Sequence, residues 1–147
     1  MVSNRFYVAE QGNRIIGVIA CTDCTGRAMY VTKEDCKRHL GFLRGSIGYR
    51  IFTDEFTRPL EYPATTGYIE FVGVLAEARG QGIAKALLKE VMELNPQYDE
   101  FVLDVTDINA PAIKSYTDFG FVEFVCVPVK FPKQKGFNAK VYMKYSR

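Results

Sequence analysis

Gly80 and Gly82 stand one residue apart in Arg79-Gly80-Gln81-Gly82-Ile83-Ala84, between the β-branched and aromatic run Tyr68 to Val74 and a stretch with helical period. Glycines at such a junction let the backbone come close to a ligand and leave unpaired amides pointing outward at a helix N-terminus. The partial positive charge there suits a phosphate; the plainer reading is a tight strand-to-helix turn. Two well-known phosphate loops do not fit. A Walker loop needs GxxxxGK followed by Ser or Thr, whereas Ala84, Lys85 and Ala86 stand here. A dinucleotide fingerprint beginning at Gly80 meets Lys85 where its third glycine belongs. Just before the turn, Glu70 can take a proton through a water or can be paired with an arginine or lysine. Strand alternation places it on one face with Tyr68, Val72 and Val74.

The cysteines offer a second chemistry. Cys21-x-x-Cys24 followed by Cys36-x-x-His39 has the ligand types and pair spacing of a small zinc site. Cys21, however, ends the apolar run IIGVIAC, where cysteine commonly serves as a small core residue, and structural cysteines without metal are the favoured reading. His39 is the only histidine and is expected at the surface, with no Ser-His-Asp arrangement around it.

The elements that position these residues follow from periodicity. Phe6 to Glu10 and Ile15 to Thr22 read as a hairpin turning at Gly12-Asn13. Thr32 is a plausible cap for a helix over 33–40 stopped by Gly41, and a second helix is expected around 48–56. Arg58 to Pro63 is irregular because two prolines exclude helix and central strand. The insert 33–66 is long for a connection and is a candidate functional lid or wall, with Phe42, Tyr49, Phe52, Phe56 and Tyr62 expected partly to face a cleft. Ile83, Leu87, Val91 and Leu94 make the stripe of a helix ended by Asn95-Pro96. Phe101 to Thr106 is a strand parallel to 68–74, Asn109 caps a helix closed by Gly120, and 121–129 and 140–145 are strands around a loop over 131–138.

Arg79, Gly82 and Ala84, with Val74 five residues before the arginine, and the block Asn109-Ala110-Pro111-Ala112-Ile113-Lys114-Ser115-Tyr116-Thr117-Asp118-Phe119-Gly120-Phe121 together resemble the GNAT superfamily of acyl-CoA N-acyltransferases. The resemblance covers Ile15 to Thr22 and Thr66 to Phe124. It implies a mixed α+β fold, a central mixed sheet with splayed strands and flanking helices. The family's usual first strand and two helices have no counterpart before the hairpin, and are missing or replaced by the insert 33–66. The resemblance further implies that acyl-CoA lies between strands 68–74 and 101–106, with pantetheine against the backbone near Val72 and Val74. A main-chain N–H of that strand would polarise the thioester carbonyl. The pyrophosphate would sit on the amides of Arg79, Gly80, Gln81, Gly82, Ile83 and Ala84, and Asn109 would bond the CoA arm. Tyr116 takes the place of the general acid that protonates the leaving thiolate; the plain alternative is a packed helix tyrosine.

The 147 residues are expected to form one domain over 1–147. A net charge of +2 is too small to argue for nucleic acid or an anionic membrane, and the sequence has no run of about 18 apolar residues. A cytoplasmic setting is therefore the expectation, with a homodimer left open. The function expected is an N-acetyltransferase moving acetyl from acetyl-CoA to an amine of a small molecule or peptide, without metal. The competing expectation is a CoA-binding module without catalysis, in which the phosphate turn is kept and the acceptor side is closed.

Overall fold

The computed structural model describes residues 5–41, 46–50, 52–53 and 59–147. Phe6–Gln11 (β1) and Arg14–Thr22 (β2) form the hairpin, and Gly12 takes φ 63 in its turn. Thr32 caps Lys33–Leu40 (α1) by accepting from the Asp35 amide at 3.1 Å, and the Gly41 amide closes it on Lys37. Residues 46–50 and 52–53 are helical. The remainder of the second helix read from the sequence lies outside the described residues, as do Phe42 and Phe56. Then come Thr66–Val74 (β3), Ile83–Leu94 (α2), Glu100–Thr106 (β4), Ala110–Phe119 (α3), Val122–Pro128 (β5), Pro132–Lys135 (α4) and Ala139–Ser146 (β6). The short turn α4 falls in the expected loop 131–138, where Pro132 at its start and left-handed Gly136 at its end are the local signals.

The six strands make one sheet in the order β1-β2-β3-β4-β6-β5, in which β3 and β4 run parallel and the other neighbours antiparallel. This is a mixed α+β fold with helices flanking a mixed sheet. Helix α2 packs across β1, β2 and β3. Its apolar stripe buries Leu87, Leu88, Val91 and Met92, each stabilising the fold by roughly 1.5–3 kcal/mol relative to exposure. The helix lies so close to β2 that a Cβ on Gly17 would stand 2.9 Å from Ile83 and 3.0 Å from Leu87. Among the described residues no helix is long and apolar enough to cross a membrane.

Two departures from a regular sheet shape its centre. Phe71 has φ 53, and opposite it the β2 pairing jumps from Val18 to Ala20, so β3 carries a bulge. The bulge corrects the expected face: Ile69 belongs to the core cluster of α2 and Val72 packs against it, whereas Glu70 meets Arg27 and Phe71 meets the Phe6 ring. Tyr68 and Glu70 therefore do not share a face with Val72. Secondly, the parallel ladder runs only from Thr66 opposite Glu100 to Ile69 opposite Leu103, although both strands continue. Beyond that point β3 and β4 separate, and the edge of β3 from 70 to 74 has no ladder partner in β4.

A candidate active site in the gap between β3 and β4

On one side of the gap lies a cleft of about 780 Å³ walled by Val72, Val74, the turn before α2 and the N-terminal half of α3. Gly80 and Gly82 both take left-handed φ, 76 and 79, and a Cβ at either would meet no atom within 4 Å. Packing therefore does not demand glycine at these two positions; the backbone conformation does. The first intrahelical bond joins the Ala86 amide to the Gly82 carbonyl at 3.0 Å, so the amides of Ile83, Ala84 and Lys85 are left without partners among the described residues. No acidic residue stands in the first turn of α2 to occupy them. Arg79, Gly80, Gly82, Ile83 and Ala84 all line this cleft. Gln81 does not, because its side chain turns back to donate to the Glu77 carbonyl at 3.1 Å. Arg79 is anchored by its Nε, which donates to the Val74 carbonyl at 3.3 Å.

Asn109 and Tyr116 border this cleft and also a second cavity of about 540 Å³, so the gap connects the two. Asn109 caps α3, its side-chain oxygen accepting from the Ala112 amide at 3.3 Å, which leaves the side-chain amide nitrogen for a ligand. Tyr116 is 8% exposed, and its ring packs edge-on to Phe121. No described residue bonds its hydroxyl, and the oxygen is not sealed from the cavity. Burial, helped by the Asp104 charge, pushes its phenol up to about 12, so it holds its proton at neutral pH.

The second cavity carries residues that local sequence patterns do not connect. Glu70 is buried and accepts from Arg27 through Nε at 2.8 Å and through Nη2, from the Thr22 hydroxyl at 3.0 Å and from the Ala28 amide at 3.4 Å. Of the two sequence readings for Glu70, the ion pair is therefore present. Across the gap Asp104 accepts from the Tyr68 hydroxyl and lies 3.0 Å from Lys140 Nζ. Burial and the Asp104 carboxylate raise the Tyr68 phenol far above its ordinary value. Arg27 also lies over the Tyr68 ring at 5.6 Å, and Tyr62 stacks on that ring at 5.7 Å. Asp104, Lys140 and Arg27 escaped the sequence reading. The usable signal was a carboxylate inside the otherwise apolar strand FVLDVT.

The cysteines do not gather. Cys21 and Cys36 are buried, Cys24 and His39 are exposed, and no group of three His, Cys, Asp or Glu among the described residues is placed to hold a metal. Burial, then the Asp23 charge, pushes the Cys21 thiol up to about 12, which disfavours the thiolate that a metal would need.

Known proteins share this fold. The chain superposes on an IAA acetyltransferase from Bacillus cereus with a TM-score of 0.64 and 17% identity, over 99% of this chain and 81% of that one. A ribosomal-protein-alanine N-acetyltransferase from Brucella melitensis gives 0.62 and 19%, over 99% and 74%. A GNAT acetyltransferase from Elizabethkingia anophelis with acetyl-CoA bound gives 0.62 and 15%, over 99% and 79%. At such identities the likeness shows a shared fold. No curated protein sequence matches significantly. The sequence pattern of the acetyltransferase (GNAT) family matches residues 2–121, most of the chain. The chain belongs to the acetyltransferase (GNAT) family.

Proposed function

We propose that the protein transfers an acetyl group from acetyl-CoA to a primary amine by direct attack, with the thioester held in the gap between β3 and β4. One observation carries the reading: the free amides at the start of α2 and the unbonded Tyr116 hydroxyl border one cleft, which continues through the gap into a second cavity. In this reading the pyrophosphate sits on the amides of residues 80–85, the pantetheine runs along Val72 and Val74, and Asn109 donates to the CoA arm. The attacking nitrogen forms a bond to the carbonyl carbon, and the developing oxyanion is met by a main-chain N–H on the unpartnered edge of β3. The carbon–sulfur bond then breaks, and Tyr116 donates toward the departing sulfur. Burial disfavours phenolate and thiolate alike, so it works on both partners of this proton transfer in the same sense.

Glu70 already accepts from four donors, and its part in this reading is to fix Arg27 and the acceptor wall. The incoming ammonium loses its proton to water before the attack. A CoA-binding module without catalysis is disfavoured by the second cavity, because it leaves Tyr116 facing space that an acceptor can enter. The test is a panel of primary amines with acetyl-CoA, following free thiol. Amine-dependent thiol release is expected, and release no faster than without amine, across the whole panel, would remove the reading.

A further inference from the structure

Beyond the second cavity the channel widens into a third, of about 570 Å³, and its walls are cationic. Arg27, Lys130, Lys135 and Lys140 line it against Glu61 and Asp104. Arg27 is held by Glu70, and Lys140 lies 3.0 Å from Asp104. Lys130 and Lys135 have no carboxylate partner among the described residues. They belong to a stretch, Phe124 to Arg147, that contains no acidic residue at all. The two are also staged by distance from the chemistry: Lys135 borders both the cavity at the gap and the outer one, whereas Lys130 borders only the outer one. Lys135 is carried on α4, which is closed by left-handed Gly136, so its backbone is fixed rather than part of a long irregular loop. Tyr62 and Tyr142 supply apolar wall between the gap and these lysines.

We propose that the acceptor is a small amine that also bears a carboxylate, and that Lys130 and Lys135 receive this carboxylate while the amine reaches the gap. The proposal rests on the acetyl-transfer reading only for where the amine points. A short methylene chain between the two groups lies along Tyr62 and Tyr142. The lone Glu61 at the rim attracts a second ammonium less than the two lysines repel it, so a diamine is the poorer ligand.

The experiment measures binding of ω-amino carboxylates, from β-alanine to 6-aminohexanoate, to the CoA-saturated protein by calorimetry, each against its own primary amide. Thiol release with acetyl-CoA is followed on the same compounds. At low salt the best acid is expected to bind about tenfold more tightly than its amide, the size that charge-assisted bonds to two partly solvated lysines allow, and salt should erode the difference. Lys130→Gln/Lys135→Gln should abolish the preference; both side chains are exposed, and an unchanged melting temperature checks the fold. Equal affinity of acid and amide at every chain length, absence of binding included, overturns the proposal. So does a preference that survives in the double variant. A lysine-dependent preference with no thiol release from these compounds or from the amine panel would keep the anion site and remove the transfer reading; thiol release without the preference would do the reverse.

Discussion

The two sides of the gap are built from different materials. On the side of Gly80 and Gly82 the walls are main chain: left-handed turns, partnerless amides and a helix start without acidic side chains. On the side of Glu70 the walls are side chains tied in pairs, Arg27 to Glu70, Tyr68 and Lys140 to Asp104, Tyr62 on Tyr68. A main-chain site suits a ligand part that never varies, since substitution can scarcely alter its amides. A side-chain site can be respecified by changing a few residues. Under the proposed transfer, the contrast teaches where specificity would reside: backbone would meet the acetyl donor, and charges the acceptor.

The largest effect expected from this contrast is on stability. In Arg27→Met the buried Glu70 loses its main partner, and unfolding free energy should fall by about 3–5 kcal/mol, as when one half of a buried pair is removed. Urea unfolding measures it, and Arg27→Met/Glu70→Gln should recover much of the loss. A cost below about 1 kcal/mol would mean that the acceptor side does not depend on its pairs. Next in size is Gly82→Val. At a φ of 79 a β-branched residue strains the turn, costing roughly 1–2 kcal/mol, and its side chain would enter the open space where the proposed reading puts the pyrophosphate. Read against its own unliganded melting temperature, the variant should show no acetyl-CoA shift, whereas the wild type at 100 times its Kd gains about 2.7 kcal/mol. A retained shift would break the main-chain half of the comparison.

The smallest effect concerns acid. Although burial opposes it, hydrogen bonds from Thr25, Tyr98 and Arg5 hold the Asp23 carboxyl at about 2, below its unfolded value. Asp23 builds the turn just before Arg27. A depressed folded pKa stabilises above the unfolded pKa, and that contribution is lost as pH falls from about 4 toward 2. Melting temperatures across that range should fall less steeply in Asp23→Asn than in the wild type; parallel curves would contradict the assignment.

Much of the main-chain side was legible because its signals are local. The glycine turn, the helix stripe from Ile83, the Asn109 cap and Gly120 each follow from neighbours within one or two turns, and each element stands where its pattern predicts. The side-chain side was not legible, because its pairs join residues 43 and 36 apart in the chain. Strand alternation also failed at Phe71, since no local feature marks a phenylalanine for positive φ, and a single inserted residue reverses every side chain after it. Glu70 shows the limit well. Its two sequence readings differed only in whether a cation lay nearby, and that cation came from another strand's following turn.

The most direct test of the account is Tyr116→Phe, which keeps the buried ring and removes only the hydroxyl that faces the gap. With the acceptor that releases thiol best, kcat should fall by about 100-fold to 10,000-fold, the usual worth of a positioned general acid. The acetyl-CoA-induced melting shift should stay at its wild-type size, because the amides at the start of α2 are untouched. Full turnover in a folded Tyr116→Phe protein would contradict the account.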